Sequence, residues 1–436
     1  MSKKLFIKGT LLLTITGLLS RFMGFFYRIF LSHTIGAHGL GIFQLALPLQ
    51  VLLLSVCSSG IQTALSRFTA SETALGKHRR AADHLIGGTF FSVSLSVLLC
   101  AALYRCSDLW ANCILKEPQT APLIRMIAFT IPLATFHNCI NSYYFGRKKA
   151  GFPSAVQLLE QSFRIGGCYL LYQICTAKGL PITPMIAAGG NLAGEAAACF
   201  ISLFAISMHF HETHYSPFGI KHPFQILKDL LQISVPLTLN KLLLTILGSI
   251  EVILIPARLQ MAGSSSQEAL SIYGVFTGMA LPLILFPSTI TNSASVMLLP
   301  SVTQLQALGY EKRIRYVILR IFRYCIALGI FCMTFFLFFG KFLGEFLFHS
   351  QTAGIYIRAM AFICPFLYLN ATLTSVLNGL GKSSLCLLHS VISVCIRVGF
   401  VLFAIPVLGI RGYFYGMLCA EIILSILHTR SCFYTL

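Results

Sequence analysis

Charged side chains are scarce in this chain, and acidic ones especially so. Only 10% of the 436 residues are charged, with 13 Asp and Glu against 32 Lys and Arg, while 56% are apolar and the mean hydropathy is +0.80. A soluble protein could not bury so much apolar surface, which excludes a soluble globular domain. The net charge of +19 lies in short basic runs between hydrophobic segments. These runs form no nucleic-acid-binding patch or fold, so we expect no nucleic-acid partner.

The chain also lacks a recognisable metal or disulfide framework. None of its 15 cysteines forms a CxxC pair, and most lie singly in apolar segments, where a small polarisable side chain packs well. Cys106 and Cys113 are the one candidate bridge, and we expect them to be free. Four histidines cluster in mid-chain: His209, His211, His214 and His222. Without a cysteine partner or a fixed helical spacing they indicate a solvated linker, so we expect neither a metal nor a cofactor.

Long hydrophobic runs recur along the chain. Stretches of about 20 mostly apolar residues, enough for a helix to cross roughly 30 Å of hydrocarbon, occur twelve times. We therefore predict an all-α polytopic membrane protein with twelve transmembrane helices. The approximate spans are 9–31, 42–66, 85–104, 120–145, 153–175, 185–208, 224–256, 271–299, 314–340, 353–378, 383–406 and 410–429. The first span carries Arg21 and lacks a signal-peptide cleavage site, so we interpret it as a membrane helix.

One segment of the chain is repeated. The stretch from Ile124 to Gly166 returns 233 positions downstream with ten identical residues, among them Arg164, which returns as Arg397. An even number of spans in each copy implies two bundles related by a pseudo-twofold axis along the membrane normal. The predicted parts are an N-terminal six-helix bundle over 1–208, a cytoplasmic linker over 209–223 and a C-terminal six-helix bundle over 224–436. The positive-inside rule places both termini in the cytoplasm.

Two charged pairs repeat with the bundles. Arg164 and Glu195 fall at similar depth in neighbouring spans, and Arg397 and Glu421 repeat the arrangement. Because a mid-membrane arginine costs about 2.5–3.5 kcal/mol on insertion scales, each one requires a partner or water. We predict one structural interhelical ion pair in each half.

Other intramembrane charges have no counterpart in the second copy. Five residues are predicted to bind an anionic ligand: Arg21, Arg28, Arg67, Asn240 and Lys241. Arginine suits such a ligand because its planar fork grips phosphate oxygens. Snorkelling to the outer interface is the alternative interpretation of Arg28. Glu251 is predicted to bind a coupling cation or to balance the arginines. Pro282 and Pro287 are the best candidates for a hinge.

The sequence resembles a known family at several places. Residues 20–28 read SRFMGFFYR and residues 35–41 read IGAHGLG, and the resemblance continues through Gly274 to Pro282 and Pro300. These stretches are similar to stage V sporulation protein B and related polysaccharide transporters of the multidrug/oligosaccharidyl-lipid/polysaccharide exporter superfamily, which includes the lipid II flippases. The resemblance implies a central cavity, alternating access, and contact between helix 1 arginines and a lipid diphosphate. The chain ends before two C-terminal helices that are common in the sporulation and lipid II branches.

From these features we predict a flippase, not an enzyme. It would export a polyprenyl-diphosphate-linked oligosaccharide or cell-wall precursor across the bacterial cytoplasmic membrane, as a monomer surrounded by membrane lipids, with Na⁺ or H⁺ as candidate coupling ions. The alternatives are a cation-coupled multidrug antiporter of the same superfamily, disfavoured because spans 1 and 2 contain no acidic residue, and a non-transporting scaffold for envelope or spore assembly. A membrane glycosyltransferase or ligase would need larger outer loops.

Overall fold

The computed structural model describes residues 3–215, 223–307 and 309–434, and every regular element within them is helical. Helices suit this composition because the hydrocarbon of a membrane offers no hydrogen-bond partners, and a helix pairs its backbone N–H and C=O groups internally. His222 and the rest of 216–222 lie outside the described residues. Helix continues to Glu212, so the structure places the half-buried His209 and the exposed His211 in the last turn of a helix. The bounds of the linker stay a prediction.

The chain forms two compact units. Unit 1 contains Met1–Gly24 and Leu45–Ser249, and unit 2 contains Phe25–Gln44 and Ile250–Leu436. These units differ from the predicted division at 209–223, because residues 25–44 pack with the second unit and the stretch after the linker packs with the first. Leu230, for example, is fully buried in the core of unit 1. The location of the duplication boundary stays a prediction.

Unit 1 is built from helices that surround a hydrophobic core, which includes Leu65, Leu85 and Tyr143. The helices with residues in this unit are α1 (Lys3–Leu54), α2 (Gly60–Ala74), α3 (His78–Arg105), α4 (Ser107–Leu109), α5 (Ala121–Gly146), α6 (Gly151–Ala177), α7 (Met185–Glu212) and α8 (Pro223–Met261). A π-helical turn, Ser55–Ser59, joins α1 to α2.

Unit 2 has a separate core that includes Ile318, Leu373 and Val376. Beyond its share of α1 and α8, its helices are α9 (Ser266–Gly274), α10 (Leu281–Leu285), α11 (Ser288–Ala307), α12 (Glu311–Phe348), α13 (Gln351–Met360), α14 (Cys364–Gly379), α15 (Ser383–Phe403), α16 (Ile405–Leu408) and α17 (Ile410–Tyr434). A π-helical turn, Val275–Ala280, lies between α9 and α10.

Ten helices among the described residues are long and apolar enough to cross a membrane. The longest, Thr14–Ala74, has 61 residues and contains a break at Gly36, where φ is 67°. Only glycine adopts this conformation readily, and the predicted spans 9–31 and 42–66 lie on either side of it. The all-α multi-pass prediction is confirmed, and the count of twelve is compatible with these helices.

The predicted hinge region contains an interruption. Helix α10 ends at Leu285 and α11 begins at Ser288, so the chain leaves regular helix at Pro287. Proline at this position removes a backbone donor and disfavours continuation of the preceding helix. Pro282 lies just after the π-helical turn within the continuous helical stretch Ser266–Leu285, so its missing N–H interrupts the backbone hydrogen bonds inside a helix. A hinge at Pro282 and Pro287 stays a prediction.

Glycines bring α6 and α7 together around the charged residues of unit 1. A Cβ on Gly190 would lie 2.6 Å from the backbone oxygen of Arg164, and one on Gly194 would lie 2.8 Å from that of Glu160. Small residues at such crossings allow helices to approach backbone to backbone in a membrane. This close packing holds the side chains of Arg164 and Glu195 within reach of each other.

Candidate functional site

A partly buried cluster of charged side chains lies where α5, α6 and α7 of unit 1 meet. The Arg164 guanidinium contacts Glu160, one helical turn earlier on α6, and its Nη2 lies 3.7 Å from Oε1 of Glu195 on α7. Its Nη1 donates to Oε1 of Gln161 over 2.8 Å. On the other side, His137 Nε2 lies 2.8 Å from Glu195 Oε2. One arginine is thus shared between two carboxylates, and an imidazole contacts the second.

This cluster forms part of the wall of a polar cavity of about 760 Å³ in unit 1. Glu160 and His137 line the cavity from α6 and α5, and Gln62 and Arg67 line it from α2. Such a volume holds many water molecules, and its polar wall supports hydration. Of the residues predicted to bind a ligand, Arg67 is therefore placed beside the charged cluster.

Unit 2 contains a related cluster around Arg397 on α15. Its Nε donates to Oε1 of Glu251 over 2.7 Å, and its Nη1 lies 4.0 Å from Oε1 of Glu421. The Tyr413 hydroxyl also donates to Glu251 Oε1 over 2.7 Å. Asn370 donates from Nδ2 to Glu421 Oε2 over 2.7 Å. Again one guanidinium serves two buried carboxylates.

The two clusters share the repeat seen in the sequence. His137 and Asn370 are separated by the same 233 positions as Arg164 and Arg397, and each bonds to the glutamate of its own unit. The position of the second carboxylate differs between the units. Glu160 corresponds to Ser393 at this offset, and Glu251 on α8 supplies the closest carboxylate of unit 2.

The arginine and the glutamate of each predicted pair are therefore in contact, but in each cluster this glutamate is the more distant of the two carboxylates. The closest carboxylates are Glu160 and Glu251, not Glu195 and Glu421. Sequence reasoning missed Glu160, although its i, i+4 spacing to Arg164 was a usable signal. Glu251 was predicted to balance the helix 1 arginines or to bind a cation, whereas in the structure its partners are Arg397 and Tyr413. The functional roles of these residues stay predictions.

Arg21 and Arg28, predicted to hold a diphosphate, belong to different units. Arg21 is exposed on α1 and makes no ion pair or hydrogen bond with any residue that the structure describes. Arg28 is half-buried, and its Nη1 lies 3.5 Å from the backbone oxygen of Thr277 in the π-helical turn. A carbonyl oxygen orients a guanidinium without neutralising its charge, so both arginines keep charge available for an anion.

Asn240 and Lys241 lie next to each other on α8, in the part that belongs to unit 1. Both side chains are exposed. Within the described ranges, Lys241 has no carboxylate partner at ion-pair distance. After Arg21 and Arg28, Lys241 is thus the third cation within a predicted span that has no described carboxylate partner. Arg67 adds a fourth at the cavity described above.

Long apolar helices in two units, each with a cluster of charged side chains, define a polytopic membrane protein. The chain belongs to the polysaccharide biosynthesis protein family, whose sequence model matches residues 6–306. It is similar to stage V sporulation protein B of Bacillus subtilis (strain 168), at 26% identity over 447 residues that cover 99% of this chain and 84% of the relative. The predicted family resemblance is confirmed.

Two further similarities involve lipid II flippases. The lipid II flippase MurJ of Bacillus subtilis (strain 168) is 25% identical over 173 residues, covering 38% of this chain and 32% of that protein. Among solved structures, a lipid II flippase MurJ in an inward closed conformation aligns with a TM-score of 0.76 at 16% identity, covering 97% of this chain and 87% of that one. This structural likeness confirms the predicted fold class.

Proposed function

We propose that this protein is a flippase for a polyprenyl-diphosphate-linked oligosaccharide or cell-wall precursor. It moves the lipid-linked saccharide from the inner to the outer leaflet of the bacterial cytoplasmic membrane and makes or breaks no covalent bond. Both termini lie in the cytoplasm, and the working unit is a monomer. Membership of the polysaccharide biosynthesis family and similarity to a lipid II flippase support this class of cargo.

The proposal rests on one observation, which is the position and exposure of the Arg21 side chain. It lies midway along the predicted first span, it is exposed, and it has no carboxylate partner among the described residues. An uncompensated guanidinium at this depth costs about 2.5–3.5 kcal/mol, so the resting protein keeps a charge that a bound anion would neutralise. A diphosphate suits it because the guanidinium fork can donate two parallel hydrogen bonds to phosphate oxygens.

Arg28 and Lys241 contribute further positive charge to the same ligand class. The carbonyl oxygen of Thr277 fixes the Arg28 guanidinium, and the Lys241 ammonium is free of any described carboxylate. The exposed amide of Asn240 can donate to a saccharide or phosphate oxygen. In this proposal Arg21 provides the strongest single contact, and Arg28, Asn240 and Lys241 are further residues suited to the same class of ligand.

A coupling ion, Na⁺ or H⁺, is part of the proposal. In each unit two carboxylates share one arginine, at Glu160 and Glu195 in unit 1 and at Glu251 and Glu421 in unit 2. All of them except the half-buried Glu160 are buried. Such an excess of negative charge favours a bound cation or proton. The membrane potential supplies a further driving force of about 2.3 kcal/mol per elementary charge per 100 mV.

A cation-coupled drug antiporter is the second candidate, because the acidic clusters suit cation coupling. Its cationic cargo would need exposed carboxylates, yet α1 and α2 contain no Asp or Glu before Glu72. The four carboxylates of the clusters are already engaged with arginine, histidine or hydrogen-bond donors. The balance of charge on the first two helices therefore favours an anionic cargo.

The proposal is tested by reconstitution into proteoliposomes. Fluorescent lipids with a polyprenyl diphosphate and different saccharides are placed in both leaflets, and a membrane-impermeant quencher reports leaflet exchange over time. We expect exchange with the unmodified protein and a loss of about tenfold or more in Arg21→Ala, since a charge-assisted bidentate contact contributes about 1.5–3 kcal/mol. Arg21→Lys should recover part of the rate, because it restores charge without the fork.

Arg320→Gln is the matched control. Arg320 is an exposed arginine on α12 that donates to the Tyr316 hydroxyl of its own helix, so its removal should leave exchange unchanged. Equal rates for Arg21→Ala and the unmodified protein would refute the diphosphate role. Exchange of cationic fluorophores without exchange of lipid-linked saccharides would favour the antiporter, and no exchange of either with an intact cellular phenotype would favour a scaffold.

A further inference from the structure

The cluster in unit 1 contains a titratable group that its counterpart in unit 2 lacks. His137, Glu160, Arg164 and Glu195 together carry one net negative charge when the imidazole is neutral and none when it is protonated. His137 is only 3% exposed and Glu195 7% exposed, so this difference of one charge is felt in a low-dielectric environment. A proton on His137 would neutralise the cluster.

The hydrogen bonds around His137 provide a place for that proton. Its Nε2 contacts Glu195 Oε2, and on the other side Nδ2 of Asn141 lies 3.4 Å from its Nδ1. In this arrangement Nε2 donates to the carboxylate, Nδ1 accepts from the amide, and the imidazole is neutral. The side-chain oxygen of Asn141 is buried and has no hydrogen-bond partner. Rotation of this amide by half a turn would present that oxygen to a protonated Nδ1.

A proton can reach this imidazole from water. His137, Asn141 and Glu160 all line the polar cavity of about 760 Å³. Glu160 lies between the cavity and the arginine, so its carboxylate can pass a proton from cavity water toward the cluster. The deeper carboxylate, Glu195, is reached through His137 itself. The geometry thus provides a route from water, a proton acceptor in His137 Nδ1 and a hydrogen-bond acceptor for the bound proton in the side-chain oxygen of Asn141.

The duplicated cluster of unit 2 shows what the same scaffold looks like without a titratable side chain at this position. There Asn370 bonds to Glu421 through Nδ2, and its oxygen accepts from the Ser425 hydroxyl over 2.8 Å. Both polar atoms of Asn370 are satisfied. An amide at this position therefore supports the arginine and glutamate without binding a proton.

We propose that His137 is a proton-binding site of unit 1 and that it supplies the coupling ion. A proton from cavity water adds to Nδ1, the Asn141 amide rotates to accept it, and the imidazolium keeps its Nε2 bond to Glu195. The groups that set its charge are Glu195 on α7, Glu160 and Arg164 on α6, and Arg67 across the cavity on α2. The use of this proton in transport rests on the proposed flippase function, whereas proton binding itself does not.

Proton binding is measured first, on the full chain in nanodiscs. Histidines labelled with ¹³C at Cε1 are followed by NMR between about pH 5 and pH 8, the range in which histidine normally titrates. The His137→Asn variant identifies the His137 signal, and Asn is a suitable replacement because unit 2 holds Asn at the equivalent position. We expect this signal to titrate and to be perturbed by Glu160→Gln. A His137 signal that stays constant over the whole range would overturn the proposal.

Transport is measured second, with the leaflet-exchange assay at about pH 5.5 and 7.5. We expect the rate of the unmodified protein to change about tenfold over this interval, which spans the normal histidine titration. In His137→Asn the change should fall below about twofold. His137→Gln, with a longer amide, provides a second variant should the first fold poorly. Lys178→Gln, in the loop after α6, is the control and should keep the unmodified profile.

The outcomes separate the two proposals. An unchanged pH profile in a folded His137→Asn protein refutes proton coupling at this site, even if exchange itself is observed. A titrating His137 signal in a protein that exchanges no lipid-linked saccharide refutes the flippase function but leaves the proton site standing. Loss of exchange at every pH in His137→Asn, with normal folding, would also contradict the proposal, because the imidazole would then be required whether or not it carries the extra proton.

Discussion

Removal of the Arg164 guanidinium is the perturbation with the clearest expected cost. Arg164→Gln would leave Glu160 and Glu195 facing each other across α6 and α7 without a permanent positive charge. Breaking a buried ion pair by removing one partner typically costs about 3–5 kcal/mol. The Arg164 side chain is 22% exposed and its cavity admits water, so we expect the lower end, about 3 kcal/mol.

The partner variants should behave asymmetrically. Glu160→Gln alone keeps Arg164 in contact with Glu195 and Gln161, so it should destabilise by about 1 kcal/mol or less. In the Arg164→Gln background, the same Glu160→Gln change removes an uncompensated carboxylate and should recover roughly half of the lost stability. Double-mutant analysis of this kind isolates the coupling between the two side chains.

The assay is reversible unfolding in mixed micelles, followed by the near-ultraviolet signal of the aromatic residues. Arg320→Gln again serves as the control and should change the free energy of unfolding by no more than about 0.5 kcal/mol. The reasoning is refuted if Arg164→Gln is as stable as the unmodified protein. It also fails if Glu160→Gln makes the Arg164→Gln protein still less stable, because the two carboxylates would then not repel each other.

Two further predictions test the packing of each unit. Gly274→Ala in unit 2 would place a Cβ 2.0 Å from the backbone oxygen of Ala37, so we expect about 1–3 kcal/mol of destabilisation in the same unfolding assay. Gly248→Ala, where a Cβ meets nothing within 4 Å, should be neutral or slightly stabilising, and equal behaviour of the two would contradict the contact. In unit 1 the hydroxyl of the half-buried Tyr215 donates to Oδ1 of Asp83 over 2.6 Å, and desolvation together with this bond raises the pKa of Tyr215. Tyr215→Phe should lower the unfolding free energy by about 1.5–3 kcal/mol below pH 10, and a change under 0.5 kcal/mol would refute the hydrogen bond.

The helical architecture could be predicted because its signal is local. Apolar runs of membrane-spanning length predicted α3, α5 and α12 from composition alone, and the Gly36 break lies in the predicted gap between the first two spans. The compact units could not be predicted in this way. Whether residues 25–44 pack with earlier or later helices depends on contacts between elements far apart in the sequence, and hydrophobic periodicity carries no information on such contacts.

Only part of the candidate site could be predicted, because the sequence gives little information on contacts between side chains of different helices. An intramembrane arginine requires a partner, and that argument indicated a carboxylate on another helix; in the structure Glu195 lies 3.7 Å from Arg164. It could not rank Glu195 against Glu160, since the rank depends on the rotamer of a long side chain. It also could not pair Arg397 with Glu251, which comes from a helix outside the repeated segment.

Comparison of the two clusters separates what supports each unit from what a transport cycle would use. The arginine and the glutamate occur in both copies, at Arg164 with Glu195 and at Arg397 with Glu421, and both pairs connect helices through buried charge. A requirement common to both copies is most simply structural, because a cargo or coupling ion need be bound only once. The groups that differ are His137, replaced by Asn370, and the second carboxylate, which is Glu160 in unit 1 and Glu251 in unit 2. Function specific to one unit is therefore expected at these differing positions, and variants there should alter transport more than they alter folding.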